Sequence, residues 1–393
     1  MENDVLQLVQ AVHNQPSRVM LVAAGAGTQA LAWLLGVAGA SRTLLEATIP
    51  YSESSFNTFL GHLPRQFVSA ETASLLAGRA LNRASWLYEG EESLVGLSCT
   101  ATVVTDRPKR GQHRAHVATW TKDRVINYHL HLHKGQRDRY GEENLVSRLM
   151  LNALAEAFNL DQRLVLPLVE GDTLTRESQD ISNAAEHLYR GESDYIVIQP
   201  EGHIDTAVST SAILAGSFNP LHRGHLVLTE LASELLGLPI TFELTAVNAD
   251  KPAIDQEEAL RRLIQFAGRY PIIVSNAPTF VSKAQLFPGT TFIVGYDTAK
   301  RILETRFYDN SYKQLQTALS DIQNQGCSFL VAGRVDDHGT FFEATELEVP
   351  EPFRKMFQFM PPGRFRLDIS STELRRIKVS GYSPTWPDSN NFS

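Results

Sequence analysis

Cysteine is scarce in this sequence, because only Cys99 and Cys327 occur and neither belongs to a CxxC pair. This argues against a disulfide framework and a cysteine zinc site, and it favours a reducing compartment. The amino terminus, MENDVLQLVQ, lacks the basic start and the apolar run of a signal peptide. We therefore expect a cytoplasmic protein.

Positive charge is also in deficit, since the 393 residues carry a formal net charge of −8. A dedicated nucleic-acid binder is usually basic, so we expect no nucleic-acid partner. Hydrophobic residues make up 43% of the chain and charged residues 20%. This composition allows two domains of ordinary size, each with a buried core.

A long hydrophobic run covers residues 19–40, VMLVAAGAGTQALAWLLGVAGA, and has the length of a membrane span. Glycines, Thr28 and Gln29 interrupt it. We interpret it as a buried strand over 19–23, a glycine-rich turn and a helix from about Thr28. No membrane partner is expected.

Strand-like and helix-like segments alternate in two regions, which predicts an α/β fold with two domains. The first domain is placed at residues 1–160 and the second at 211–380, with a polar connector at 161–210 and a tail at 381–393. In the second domain, AILAG, ITFELTAV, PIIVS and TTFIVG read as strands separated by helices. This pattern predicts a Rossmann-like parallel sheet.

Two histidines three residues apart follow the first strand of the second domain, in AILAGSFNPLHRGHLVLTELASELLG. In a parallel α/β sheet, ligands bind where a strand turns into the next helix, and helix N-termini favour anions. His222 and His225 can donate hydrogen bonds to phosphate oxygens there, and Gly224 leaves room for phosphates to pass. The other candidate nucleotide-binding residues in this loop are Gly216, Ser217, Phe218 and Asn219.

The stretch GSFNPLHRGH resembles the GxFxPxHxGH signature of the nucleotidylyltransferase superfamily. These enzymes transfer a nucleotidyl group from ATP or CTP and release pyrophosphate. A second stretch, DISSTELRR, resembles the ISSTxIR element of the same superfamily. The resemblance implies that Ser370, Ser371 and Thr372 cap a helix facing the phosphates, and that Arg375 reaches the triphosphate as a planar fork.

Two further segments between these motifs agree with the resemblance. FIVGYDTAKRIL is similar to the GxD segment that these enzymes use near the nucleotide, with Gly295 and Asp297 as the matching residues. NADKPAIDQEEALRR lies where relatives carry a phosphate-neutralising lysine and a helix with arginine. Lys251 and Arg261 are the candidates there, although an exposed lysine near an element end also occurs without function.

The ISSTxIR ending is typical of adenylyltransferases that act on nicotinamide or nicotinate mononucleotide. The RTxGISTT element of cytidylyltransferases is absent, and phosphopantetheine adenylyltransferases usually end in an ISSS-type element. The resemblance thus implies AMP transfer from ATP to a mononucleotide, with Mg²⁺ held mainly by phosphates and water and no protein metal ligands. ATP and the mononucleotide are the expected partners. The oligomeric state is left open, with a homo-oligomer among the alternatives.

Residues 16–160 resemble the CinA C-terminal family, some of whose members deamidate nicotinamide mononucleotide. AAGAGTQALAWLLGVAGAS matches its AESCTGGLLAxxLTxVPGSS stretch, and IPYSESS, VSAETASLLAGRAL and HKGQRDRYGEENLVSRLMLNAL match later segments in order. The family's nucleophilic serine falls at Gly25, and glycine has no nucleophile. We therefore expect this CinA-like α/β domain to lack amidase activity, while its glycines leave room for a phosphate near the helix start.

Two other polar stretches of the first domain have alternative interpretations. NYHLHLH places His129, His131 and His133 on one face of a strand, where they form either a metal site or an ordinary strand. No fourth ligand lies nearby in the sequence, which favours the ordinary strand. Lys109, Arg110 and Arg114 either face an anionic ligand or belong to a solvated loop, and we favour the loop.

Two functions remain open from sequence. One is an active adenylyltransferase fused to a degenerate CinA-like domain. Its acceptor is then a pyridine mononucleotide or another phosphate-bearing molecule. The other is a regulatory protein that binds pyridine nucleotides without turnover. The intact histidine pair and the ISSTELRR element favour the enzyme.

Overall fold

The computed structural model describes residues 1–107, 110–208, 210–246, 254–335, 341–342 and 347–361. The chain divides into two compact units. Unit 1 consists of Met1–Ala184, Ile198–Ile204 and Leu263–Tyr270. Unit 2 consists of Ala185–Val197, Asp205–Arg262 and the residues from Pro271 onward.

Unit 1 is built on a six-stranded sheet in the order β2-β1-β3-β4-β5-β6. Its strands are β1 (Ser17–Ala24), β2 (Leu44–Thr48), β3 (Ser93–Thr102), β4 (His113–Trp120), β5 (Arg124–Leu132) and β6 (Thr173–Asp180). Its helices are α1 (Asn3–His13), α2 (Thr28–Gly36), α3 (Ala40–Thr43), α4 (Glu53–Leu60), α5 (Ala70–Leu87) and α6 (Arg139–Ala157). The strand β1 pairs in parallel with β2 and β3, whereas β3 to β6 are antiparallel.

Helices cover both faces of this sheet, which explains the long hydrophobic run near the amino terminus. Along β1, Val19 and Leu21 pack into a core with α1, α2 and α6, while Met20 and Val22 pack into a second core with α4 and α5. A strand buried on both faces reads as a continuous apolar run. The strand and the helix from Thr28 expected within residues 19–40 are both confirmed.

No helix in the described part of the chain is both long and apolar enough to cross a membrane.

Residues 161–210, which the sequence predicts to be a connector, contain regular structure. They hold β6, α7 (Ile181–Tyr189), β7 (Tyr195–Ile198) and β8 (Ile204–Asp205). The strand β6 pairs with β5 along eight residues, from Arg124↔Asp180 to His131↔Thr173. It lies at the edge of the sheet and most of its residues are exposed. An exposed edge strand needs no apolar alternation, so its polar composition resembles that of a linker.

Unit 2 follows the expected alternation of strands and helices. Its strands are β9 (Ala212–Gly216), β10 (Thr241–Thr245), β11 (Ile272–Ser275), β12 (Thr291–Gly295), β13 (Ser328–Ala332), β14 (Arg334–Val335), β15 (Phe341–Phe342) and β16 (Phe357–Phe359). Its helices are α8 (Arg223–Leu236), α9 (Gln256–Leu263, whose last residue belongs to unit 1), α10 (Phe280–Leu286), α11 (Tyr296–Leu303) and α12 (Tyr312–Asn324). Short 3₁₀ helices cover Ile264–Phe266, Thr305–Phe307 and Glu351–Met356.

The large sheet has the order β16-β13-β12-β9-β10-β11-β7-β8, and its strands from β16 to β11 pair in parallel. From β9 the chain runs outward through β10 and β11, then returns to the other side of β9 at β12. This reversal makes β9 and β12 the topological switch point, where open parallel sheets bind ligands beyond the strands' carboxyl ends. The predicted Rossmann-like parallel sheet is confirmed, and it positions the histidine loop at this edge.

Candidate functional site

The loop after β9 folds tightly around one buried aromatic ring. Phe218 is 1% exposed and its ring makes edge contacts with Phe242 and His225, at centroid distances of 5.4 and 5.1 Å. Its backbone φ of +42° is rare for a bulky residue. A side chain on Gly216 would bring a Cβ within 2.8 Å of the same ring. The glycine and the buried ring therefore set the path of the loop.

The two histidines lie together at the first turn of α8. His222 is the N-cap residue, and its backbone N–H donates to His225 Nδ1 at 3.2 Å. Their ring centroids are 3.8 Å apart, with 31° between the ring planes. Gly224 is buried between them in sequence. The structure thus brings His222, His225 and the N-terminus of a long helix together at the switch point.

Both imidazoles are neutral near pH 7. Burial lowers the pKa of His222 to about 4. Burial, followed by the neighbouring His222, lowers the pKa of His225 to about 3. Because His225 Nδ1 accepts a hydrogen bond, the neutral ring carries its proton on Nε2. His225 can therefore offer an N–H donor to an anion while holding the loop with its other nitrogen.

Two arginines of α9 hold the same loop. Arg261 Nη2 donates to Asn219 Oδ1 at 3.3 Å, so this predicted candidate reaches the site. Arg262, which sequence reasoning missed, donates from Nη1 to the carbonyl of Ser217 at 2.9 Å. Both arginines also bond to Glu258, and the hydrogen bond from Arg261 is the largest cause lowering the pKa of that carboxyl. Glu258 lies three and four residues before the two arginines, a spacing that predicts ion pairs on one helix face. This was the sequence signal that could have found Arg262.

The GxD residues lie on the strand next to the histidine loop. The strand β12 pairs with β9 through Ile293↔Leu214, so Gly295 ends it at the same edge of the sheet. Asp297 stands exposed in the first turn of α11. A Cβ on Gly295 would have no neighbour within 4 Å among the described residues. This glycine is therefore not required for packing there.

Five predicted site residues lie outside the described residues: Lys251, Ser370, Ser371, Thr372 and Arg375.

A buried polar cluster at the same edge was also missed from sequence. Lys283 Nζ lies 2.6 Å from Glu243 Oε1, with side chains 4% and 0% exposed. Ser275 Oγ donates to the same carboxylate oxygen at 2.6 Å, and Thr245 Oγ1 donates to it at 3.0 Å. Sequence gave no signal for this cluster, because its members are separated by up to 40 residues.

In unit 1, a carboxylate fills the start of α2. Glu143 Oε1 accepts hydrogen bonds from Gly27 N at 3.0 Å, Gln29 N at 3.1 Å and Thr28 Oγ1 at 2.9 Å. The expectation that a phosphate can bind at this helix start is therefore wrong. The donors that would bind a phosphate are already bonded to an internal anion.

Gly25, at the position of the family's serine, has no space for a side chain. Its φ is +91°, and a Cβ would lie 2.0 Å from the carbonyl oxygen of Ala101. Beside it lies a cavity of about 260 Å³. The cavity is lined by Ala24, Gly25, Pro50, Tyr51, Ser52, Glu53, Phe56, Phe67, Val68, Thr100 and Ala101. This lining contains no lysine or arginine, so no cationic side chain of the described residues faces a ligand there.

The remaining polar candidates of unit 1 do not assemble into a site. Within the described ranges, no group of three or more His, Cys, Asp or Glu side chains could hold a metal ion. His129 Nδ1 bonds to His116 Nδ1 at 3.1 Å, whereas His133 Nδ1 bonds to the Glu170 carbonyl. Arg114 donates to the Val68 carbonyl at 3.1 Å. Arg110 is exposed, and Lys109 lies outside the described residues.

Solved structures of CinA-type proteins are similar to part of this chain. The competence/damage-inducible protein CihA from Agrobacterium tumefaciens has 18% identity and a TM-score of 0.33, covering 40% of this chain and 98% of its own. A CinA superfamily protein from Klebsiella pneumoniae has 12% identity and a TM-score of 0.33, covering 40% and 96%. One from Enterobacter cloacae has 14% identity and a TM-score of 0.32, covering 39% and 90%.

No curated protein sequence matches the chain. The family model described as cytidylyltransferase-like matches residues 213–377, a range that begins in β9 and includes both the histidine loop and the ISSTELRR segment. The nucleotidylyltransferase resemblance stated from the sequence is thus found again by the family model. Residues 213–377 are therefore similar to the cytidylyltransferase-like family of the nucleotidylyltransferase superfamily.

Proposed function

We propose that this domain transfers AMP from ATP to nicotinamide or nicotinate mononucleotide and releases pyrophosphate. The observation that carries the proposal is the close pair His222 and His225 at the N-terminus of α8, beside the switch point of a parallel sheet. Phosphates are the ligands that this arrangement favours, since helix dipole, backbone N–H groups and imidazole N–H groups all attract anions. The choice of acceptor rests on the resemblance of the ISSTELRR segment.

The reaction forms one bond and breaks one. A phosphate oxygen of the mononucleotide attacks the α-phosphorus of ATP in line, and the bond from that phosphorus to the bridging oxygen breaks. The electron pair leaves with pyrophosphate. No covalent enzyme intermediate is needed, so catalysis consists of positioning and of stabilising negative charge. The neutral His225 supplies an N–H donor from Nε2 toward the phosphates, and Mg²⁺ enters with the triphosphate.

The first test is turnover by the full chain. Purified protein with Mg-ATP and a panel of nicotinamide mononucleotide, nicotinate mononucleotide and other phosphate-bearing acceptors should release pyrophosphate with a pyridine mononucleotide. A parallel series with CTP tests the donor. Binding of the mononucleotide without pyrophosphate release from any pair would favour the alternative, a regulatory protein that binds pyridine nucleotides. We expect no ammonia release from nicotinamide mononucleotide, because Gly25 has no space for a nucleophile.

The second test separates the two nitrogens of His225. His225→Ala should lower kcat by at least about a hundredfold, the scale of losing one charge-stabilising donor. His225→Asn keeps an acceptor for the His222 N–H but removes the distal donor, so it should lose a similar factor with the loop intact. ATP affinity should change much less in both variants. Normal turnover in His225→Asn would exclude the distal nitrogen from catalysis.

A further inference from the structure

An ion pair is buried beside the histidine loop, and neither of its residues belongs to that loop. Glu243 on β10 and Lys283 on α10 have side chains 0% and 4% exposed, and their charged atoms lie 2.6 Å apart. Removing two charges from water is costly, and an apolar pair of similar volume is often as stable or more stable. A buried pair at the ligand-binding edge of a sheet therefore calls for a role other than stability.

The pair holds one hydroxyl that reaches the surface. Lys283 Nζ donates to Thr245 Oγ1 at 2.6 Å, and Thr245 Oγ1 donates to Glu243 Oε1 at 3.0 Å. Thr245 is half-buried, whereas the two charged residues are buried. Glu243 keeps its bonds from Lys283 and from Ser275 if the hydroxyl turns away. Thr245 can thus redirect its proton to a ligand oxygen and leave no buried charge without a partner.

The location of this hydroxyl points to one of the two substrates. The strands β10 and β9 are neighbours, and Leu244 is in register with Gly216, so Thr245 lies beside the first residue of the histidine loop. The other neighbour of β9 is β12, whose end carries Gly295 and Asp297. The family resemblance implies that these two residues lie near the bound nucleotide, which is ATP in the proposed reaction. The acceptor must approach the α-phosphorus from a flank of the loop. Because ATP is assigned to the β12 side, the acceptor is assigned to the β10 side.

Resting on the function proposed above, we propose that Thr245 is a specificity-determining residue that bonds to the acceptor mononucleotide, with Lys283 and Glu243 as its positioning residues. The ligand class is a 5′-phosphorylated nucleoside that presents an oxygen to the hydroxyl. Thr245 acts on the acceptor and not on ATP. The buried charges fix the position of its oxygen in advance, which reduces the entropy lost on binding.

The experiment measures binding of each substrate to the full chain by calorimetry, with nicotinate and nicotinamide mononucleotide as probes and ATP in parallel. Thr245→Val, which keeps the shape, should weaken mononucleotide binding about tenfold, equivalent to about 1.4 kcal/mol. ATP binding should not change. Thr245→Ser keeps the hydroxyl and should remain within about threefold of the parent.

Thr290→Val is the matched control. Thr290 lies at the amino-terminal ends of the strands of the same sheet, whereas Thr245 lies at their carboxyl ends. Thr290 is fully buried just before β12 and donates to the Thr210 carbonyl at 3.2 Å. The substitution makes the same chemical change and loses one hydrogen bond, but far from the proposed site. Its mononucleotide affinity should equal that of the parent. A loss as large as that of Thr245→Val would mean that general destabilisation explains the effect, which would overturn the proposal.

Lys283→Met tests the positioning role separately. It should weaken mononucleotide binding by about the same factor as Thr245→Val, and the two substitutions together should do little more, since residues acting through one contact are not additive. If this variant does not fold, the threonine series alone decides. Equal affinity in parent and Thr245→Val, or no mononucleotide binding by the parent at millimolar concentration, overturns the inference. Binding without pyrophosphate release overturns the proposed reaction instead, and the Thr245→Val comparison still decides the inference.

Discussion

His222 and His225 show how burial changes the protonation of histidines at the proposed phosphate site. Their low pKa values mean that the loop holds two neutral donors, not two cations. A neutral imidazole adds no net charge to the protein, and its N–H can still donate a hydrogen bond to a phosphate oxygen. A negative charge next to an imidazole favours its charged form, so on the proposed function phosphate binding should raise both pKa values.

The same low pKa values predict acid sensitivity. Both pKa values lie below the ordinary 6.5, so the unfolded chain takes up protons before the folded chain does. The stability from these two residues is present above about pH 6.5 and is lost as the pH falls toward about 4. The measurement is the thermal midpoint between pH 7 and 4.5, compared with a variant carrying His222→Asn and His225→Asn. The variant should show the shallower decline, and parallel curves would contradict the assigned pKa shifts.

At the scale of elements, α2 shows how a helix start can lose its anion site. Backbone N–H groups at a helix start attract phosphates, but here Glu143 reaches across from α6 and accepts from Gly27, Thr28 and Gln29. The interaction joins residues more than 110 positions apart in the chain. The carboxylate therefore links α2 to α6, and the helix start contributes to stability within unit 1.

Removing this carboxylate should expose the helix start. Glu143→Ala should destabilise unit 1 by about 1–3 kcal/mol, because it leaves buried N–H donors without their acceptor. Glu143→Gln keeps an acceptor oxygen and should lose less. Hydrogen exchange at the Gly27 and Gln29 amides is the direct measurement, and it should accelerate in the alanine variant. Unchanged protection there would show that the cap contributes nothing to the local structure.

Sequence predicted the elements whose patterns are local. The apolar run of β1 and the alternation of the second domain both indicated their structures correctly. The histidine pair was found for the same reason, since its chemistry lies within one short loop. By contrast, β6 is polar because it is an exposed edge, and the Glu243–Lys283 pair joins distant segments. Neither leaves a periodic signal in a single sequence.

At the scale of the whole molecule, unit 1 is discontinuous in the chain. Its helix α5 packs against Leu263–Tyr270. In the chain this segment comes after residues 205–262, which belong to unit 2. Asn82 Nδ2 donates to the carbonyls of Ile264 and Gln265, at 3.2 and 2.8 Å. At Gly78, a Cβ would lie 2.4 Å from the backbone nitrogen of Gly268. The two backbones meet where no side chain fits.

This close approach reverses the usual effect of a helix substitution. Replacing glycine with alanine inside an exposed helix stabilises it by about 1 kcal/mol. Gly78→Ala should instead lower the thermal midpoint of the full chain, because the new methyl group meets rigid backbone. Gly36→Ala is the control, since its Cβ would meet only the end of the flexible Met1 side chain at 3.3 Å. A Gly78→Ala protein as stable as the parent would contradict the packing described for α5.

The discontinuity of unit 1 also sets an order of events during synthesis. The ribosome releases residues 1–184 before it reaches residue 263, and translation at about 5–20 residues per second makes the interval on the order of ten seconds. Throughout that time the backbone that contacts Gly78 and the carbonyls that accept from Asn82 have not yet been synthesised. The amino-terminal unit is therefore the first to begin folding, but it becomes complete only after the histidine loop has been made.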